Sequence, residues 1–115
     1  MNVARATLAF AAFLIGAPGA HADTPAPDDP RVYLTQYKCY FCHADREAKA
    51  GPAFADVADR YRNDRDAVAR LTAEIRHGIR SGGPWHMPPH PEVSLPEARA
   101  IARYVMSLAP PKAGE

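Results

Sequence analysis

YKCYFCHADREAKAGPAF, residues 37–54, holds both cysteines of the chain, Cys39 and Cys42, with His43 directly after the second. Two thiols at this spacing serve one of three purposes: a redox disulfide, half of a metal site, or a clamp on something larger. The fold turns on which. A disulfide across so short a loop constrains little, whereas a small domain gains much from enclosing a cofactor.

The start of the chain bears on that choice. Residues 1–22, MNVARATLAFAAFLIGAPGAHA, carry one basic residue, Arg5, then an apolar run from Thr7 to Gly16, and end in Ala20-His21-Ala22. The small-x-small ending after a short apolar run is the pattern of a secretory signal peptide cleaved after Ala22. The alternative is an uncleaved membrane anchor. A span needs roughly 20 apolar residues, and this run supplies about ten before Pro18 and Gly19 interrupt it. Removing 22 of the 115 residues leaves 93, the size of one small domain. Arg5 leaves with the leader, so 13 basic residues balance 13 acidic ones. A nucleic-acid-binding domain carries a basic excess, and this chain has none. No other apolar run is long enough to span a membrane. The expectation is an exported, periplasmic protein without a membrane span. In such a compartment a cysteine pair normally oxidises unless something else claims it.

Working outward, residues 23–29 read as an extended, proline-rich lead-in, 30–108 as one domain, and 109–115 as a flexible C-terminal tail. Asp29-Pro30 is a helix start: a capping carboxylate, then proline at the first helical position. Tyr33, Tyr37 and Phe41 recur every four residues, which predicts a helix from Pro30 into the cysteine pair. Phe54, Val57, Ala58 and Tyr61 predict a second over about 53–62. A third begins at Asn63 or Asp64, presents Val68, Leu71 and Ile75 inward, and ends at Gly78. RSGGPWHMPPHPEV, residues 80–93, has no helical period and reads as a loop. Ser94-Leu95-Pro96-Glu97 is an S-x-x-E capping box. It opens a last helix to about Leu108, with Ala98, Ile101, Ala102, Val105 and Leu108 inward. No strand pattern and no repeat is visible, so the fold class is all-α, about four short helices. An ordered loop as long as 80–93 in so small a domain is usually functional.

CYFCH is C-x-x-C-H, the attachment motif of c-type haem. On one helical turn both thiols reach the two vinyl groups on one edge of a haem, and the histidine lies against the macrocycle with a nitrogen on iron. A thioredoxin-like pair needs a strand before the cysteine helix, and here a helical pattern precedes it. A structural zinc site needs four ligands. Histidines can complete the count, so zinc stays open on number alone. A six-coordinate haem also needs a ligand on its other face. His77, His86, Met87, His90 and Met106 are the downstream candidates. Met106 falls in the last helix, where packing is its ordinary role. His77 sits at a helix end, where a cation complements the dipole. Met87, held between His86 and Pro88-Pro89, has a stiff backbone that fixes a weak ligand at low cost in chain entropy.

The sequence here resembles the small class I c-type cytochromes, especially the bacterial cytochrome c551/c552-like group. DPRVYLTQYKCYFCH is similar to that family's first helix and haem motif, and KAGPAFADVADRY to the segment after it. LTAEIRHGI is similar to its next helix, and HMPPHPEVSLPEARAIARYVMSL to its Met-Pro-Pro loop and closing helix. The resemblance spans residues 29–108 and implies the class I cytochrome c fold around one haem c, attached covalently through Cys39 and Cys42. It implies His43 as proximal and Met87 as distal iron ligand, with the Pro52 carbonyl accepting from the other ring nitrogen of His43. It implies a haem wall of Phe54, Leu71, Ile75 and Ile79, and a crossing of first and last helices at Leu34 and Tyr104. Three departures stand out. Lys38 replaces the usual glycine before the first cysteine. His86 replaces the common proline before the ligand methionine and competes with Met87 for iron, with a lower potential if it wins. Trp85 stands only two residues before Met87, as a propionate donor or as packing. His90 reads as a surface loop residue.

The implied function is a periplasmic carrier of single electrons with a low-spin, His/Met-ligated haem, and no enzyme, because six-coordination leaves no site for substrate. Electrons leave by the thioether edge to protein donors and acceptors that dock transiently, with the carrier itself a monomer. Lys38, Arg46 and Lys49 form either a docking rim or, interleaved with Asp45 and Glu47, an ordinary mixed surface. The alternatives are a cytochrome subunit dedicated to one periplasmic oxidoreductase complex, and a haem sensor or enzyme whose distal ligand dissociates.

Overall fold

The structure, a computed structural model, describes residues 29–80 and 86–110. The expected leader, most of the lead-in, Trp85 and the end of the tail lie outside the described residues. Within them the fold is all-α, as expected. Four helices follow one another: α1, Arg31–Gln36; α2, Phe54–Arg60; α3, Ala67–His77; α4, Leu95–Ser107. A single 3₁₀ turn, Cys39–Phe41, separates α1 from the long approach to α2.

The Asp29 carboxylate accepts the Arg31 amide at 2.9 Å, but the helix starts one residue later than predicted, with Pro30 at the cap position and Arg31 as its first residue. The predicted continuous helix into the cysteines does not form. α1 stops at Gln36, and Lys38 adopts a left-handed conformation with φ 59°. That conformation costs an L-residue about 1–2 kcal/mol and turns the chain so that the cysteines start a new, tighter coil. It is also the physical reason why glycine suits this position.

α2 has no side-chain cap. Its first amides are taken instead by the motif loop: Phe54 N–H donates to the Ala44 carbonyl and Ala55 N–H to the Asp45 carbonyl, both at 2.9 Å. α3 starts later than predicted. Asp64 spends its carboxylate on the Asp66 amide at 2.8 Å, making a turn, and the helix opens at Ala67. Its buried face is Ala67, Leu71 and Thr72, with Val68 and Ile75 half-buried beside them. The buried Thr72 hydroxyl is satisfied by the Val68 carbonyl at 2.6 Å. Gly78 closes the helix with φ 76°, as its placement predicted.

α4 carries the capping box in full. Glu97 N–H reaches the Ser94 hydroxyl at 3.4 Å, and Ser94 N–H reaches the Glu97 carboxylate at 2.9 Å. Ala98, Ile101, Ala102 and Val105 are buried and Leu108 half-buried. This stripe packs α4 against α1, α2 and α3. Small alanines at 98 and 102 let the helices approach, and Leu34 of α1, fully buried, fills the crossing. Burial of each of Leu34, Ile101 and Val105 contributes about 1.5–3 kcal/mol. Leu34 thus takes the crossing role implied for it. Tyr104 only half-buries and extends its hydroxyl to the motif loop.

Candidate haem site

The site is built on the 3₁₀ turn. Cys42 N–H and His43 N–H both donate to the Cys39 carbonyl, at 3.1 and 3.0 Å, so one carbonyl gathers thiol, thiol and imidazole onto one coil. Neither thiol is in a disulfide. Burial pushes the Cys39 thiol above its ordinary range. A dithiol redox centre needs the opposite, a cysteine poised as thiolate.

His43 is held on three sides. Its Nδ1 pairs with the Pro52 carbonyl at 2.8 Å, the contact implied by the resemblance. Because a carbonyl only accepts, Nδ1 carries the proton and Nε2 keeps its lone pair for a metal. The ring stacks on Phe54, centroids 4.9 Å apart and planes at 19°. Gly51 backs it so closely that a Cβ there would lie 2.5 Å from the ring Cε1. The loop supplying Gly51 and Pro52 folds back on the motif: Gly51 N–H donates to the Cys42 carbonyl at 2.6 Å, and Lys49 N–H to the Gly51 carbonyl at 2.9 Å. Sequence reading found Pro52 but missed Gly51, whose only signal is a glycine before the proline.

A second anchor joins the motif to α4. Asp45 accepts from the Tyr104 hydroxyl at 2.6 Å and from the Tyr40 hydroxyl at 3.3 Å. Burial first, then the bonds to Asp45 and Tyr40, push the Tyr104 phenol above its ordinary range. Tyr40 in turn packs tilted against Phe54, centroids 6.1 Å apart. Asp45 therefore faces inward rather than into the mixed surface. Lys49 also turns back, its Nζ on the Tyr40 carbonyl at 2.5 Å. Lys38 and Arg46 stay exposed.

On the other side, the Met-Pro-Pro loop is pinned to the end of α3. Ile79 N–H donates to the Met87 carbonyl at 2.9 Å in an isolated antiparallel bridge. His90 N–H donates to the Ile75 carbonyl at 3.1 Å. Gly78 makes the crossing possible, since a Cβ there would meet the Met87 carbonyl at 2.7 Å and Pro89 N at 2.8 Å. Met87 is half-buried, whereas His86 and His77 are exposed. His90 is less exposed than expected and pairs with Glu92 at 3.0 Å. Phe54 and Leu71 lie in the core, Ile75 is half-buried, and Ile79 is 38% exposed.

These residues fit a haem. Two unpaired thiols and an oriented imidazole share one coil, while an apolar side chain, Ile79, stands partly bare beside Met87. Among the described residues no group of three or more His, Cys, Asp or Glu side chains is placed to hold a metal ion alone, which removes the zinc reading there.

Residues 31–109 match the cytochrome c family. The chain belongs to that family. The cytochrome is 37% identical to cytochrome c-551 of Pseudomonas aeruginosa over 70% of this chain and 77% of that protein. It is 33% identical to cytochrome c-551 of Allochromatium vinosum over 88% of this chain and the whole of that protein. The crystal structure of Nitrosomonas europaea cytochrome c552 superposes with a TM-score of 0.62 at 32% identity, over 68% of this chain and 98% of the other. The cytochrome thus has the class I fold and carries one haem c, covalently bound through Cys39 and Cys42, as a mover of single electrons. No helix among the described residues is long and apolar enough to cross a membrane.

Proposed function

We propose that this cytochrome is an exported, periplasmic electron carrier and no enzyme, with His43 and Met87 as the two axial ligands of a low-spin haem. The observation that carries the reading is the 2.8 Å contact between His43 Nδ1 and the Pro52 carbonyl. It fixes the tautomer, aims Nε2, and raises the basicity of the imidazole. The bound haem supplies a one-electron Fe(III)/Fe(II) couple, and methionine ligation raises its potential. The chain's task is to keep its ligands still in both oxidation states. On the His43 side, Gly51, Phe54 and the Asp45–Tyr104 bond do so. On the Met87 side, the Ile79 bridge and Pro88-Pro89 do so.

Phe54, Leu71, Ile75 and Ile79 are the proposed haem wall. Phe41, 76% exposed between the two cysteines, and exposed Lys38 and Arg46 mark the face that donors and acceptors touch. Contact there is small and transient, and the carrier is a monomer. The leader is proposed to be cut after Ala22. Intact mass of the exported protein then equals the chain from Asp23 plus one haem; a retained leader counts against export by cleavage.

Absorption spectra test the ligands. The oxidised protein should show the weak far-red band of methionine-to-iron charge transfer, and Met87→Ala should abolish it. A band that survives Met87→Ala, or that is absent from the wild type while His86→Ala alters the spectrum, overturns the assignment of Met87.

A further inference from the structure

His86 has no part in the function described so far. The other histidines among the described residues have stations: His43 on Pro52, His90 beside Glu92 with its amide on the Ile75 carbonyl, and His77 in the last turn of α3. His86 is exposed and directly precedes half-buried Met87. In an extended backbone successive side chains leave on opposite sides. The two residues therefore present an imidazole and a thioether from neighbouring positions, one outward and one inward.

Among the described residues one hydrogen bond, from Ile79 N–H to the Met87 carbonyl, holds that order. A shift of one residue exchanges the two sides completely. Beyond Met87 the chain is fixed, by the Gly78 contacts to Pro88 and Pro89 and by His90 on Ile75. The exchange thus breaks the Ile79–Met87 bond, while the contacts of Pro88, Pro89 and His90 to the end of α3 stay in place.

The thioether is also the ligand that chemistry removes. A hydroperoxide, a two-electron oxidant, transfers one oxygen to the sulfur of methionine. The O–O bond breaks, an S–O bond forms, the sulfur loses two electrons, and the peroxide leaves as water or alcohol. The product is polar and its sulfur no longer serves as the same ligand. An imidazole is untouched by that reaction.

We propose that His86 is the reserve iron ligand of this cytochrome, taking the place of Met87 when its thioether is oxidised and so converting a His/Met carrier into a His/His form of lower potential. The proposal rests on Met87 as the resting ligand. Its consequence is a carrier that withdraws from its redox chain under peroxide without exposing an open iron site.

The test uses the haem-loaded protein in four forms: wild type, His86→Ala, Met87→Ala and the double variant. Wild type and His86→Ala should share the far-red band; its absence from both refutes the resting-ligand reading itself. Met87→Ala should stay low-spin with a lowered midpoint potential, and the double variant should turn high-spin. A high-spin Met87→Ala, or a double variant that remains low-spin, overturns the reserve role while leaving Met87 as resting ligand. Stoichiometric hydrogen peroxide on wild type and His86→Ala repeats the test with no change at position 87. The wild type should lose the far-red band yet stay low-spin, and His86→Ala should turn high-spin. Equal end points for the two contradict the proposal.

Discussion

Gly51→Ala should loosen the imidazole that the whole site depends on. The added Cβ would lie 2.5 Å from His43 Cε1, 2.8 Å from Nδ1 and 3.0 Å from Nε2. Ordinary contact begins at 3.4 Å, so ring or loop must yield by about 1 Å, well inside the repulsive wall of carbon–carbon contact. The loop is held from both sides, by Gly51 N–H on the Cys42 carbonyl and Lys49 N–H on the Gly51 carbonyl. The ring is held by Phe54 and Pro52. Gly51 is not in the left-handed region, so backbone strain adds nothing and the cost is steric. A shift of that size stretches the 2.8 Å Nδ1 contact beyond hydrogen-bond range. Overpacking costs about 1–3 kcal/mol and the lost hydrogen bond about 0.5–1.5 kcal/mol. Together these predict a loss of about 2–4 kcal/mol, or a Tm lower by roughly 8–30 °C in a domain this small. Thermal unfolding followed at the haem absorbance measures the loss. NMR of the His43 ring N–H measures the hydrogen bond. A Tm within a degree or two of wild type, with the ring N–H still protected, refutes the packing argument.

Lys38→Gly should stabilise the protein by about 0.5–1 kcal/mol. The left-handed penalty of about 1–2 kcal/mol disappears, and the greater entropy of the unfolded glycine returns part of the gain. Lys38→Ala keeps the strain and serves as control; equal Tm values for the two variants contradict the reasoning. Glu97→Ala removes half the capping box and the acceptor of the Tyr37 hydroxyl, a loss of about 1–2 kcal/mol near neutrality. Bonds from the Ser94 side chain and backbone hold the Glu97 carboxyl below its usual range. Its contribution is therefore full at neutral pH and fades as pH falls through that lowered value. The Tm gap between wild type and variant should close as pH falls below the ordinary glutamate range, and a constant gap excludes the carboxylate as its source. Tyr104→Phe should cost about 1–2 kcal/mol by leaving Asp45 short of its 2.6 Å donor. Unchanged stability in chemical denaturation would show that the anchor is idle.

Signals that act within a few residues were legible in the sequence. The Ser94–Glu97 box, the Gly78 cap and the α4 stripe need only local chemistry, and each lies where its spacing put it. The cysteine pair and His43 were legible for the same reason. Helix ends decided elsewhere were not. The length of α1 depends on a left-handed lysine, which no propensity favours. The start of α2 depends on carbonyls of Ala44 and Asp45, about ten residues upstream. The Tyr104–Asp45 bond spans 59 positions, so Asp45 read as one charge among several near the motif. Gly51 shows the same limit at short range. Its neighbour Pro52 supplies a recognisable acceptor, but nothing in a lone glycine says that a ring lies against it.

A closed, six-coordinate iron site is the centre of the account, and carbon monoxide probes it most directly. If Met87 fills the distal position as proposed, held there by the Ile79 bridge, the dithionite-reduced, haem-loaded protein at neutral pH should keep its reduced spectrum under carbon monoxide. Rapid conversion to a carbon monoxide complex would mean that the distal ligand leaves readily, and the protein would be a sensor or an enzyme instead of a carrier.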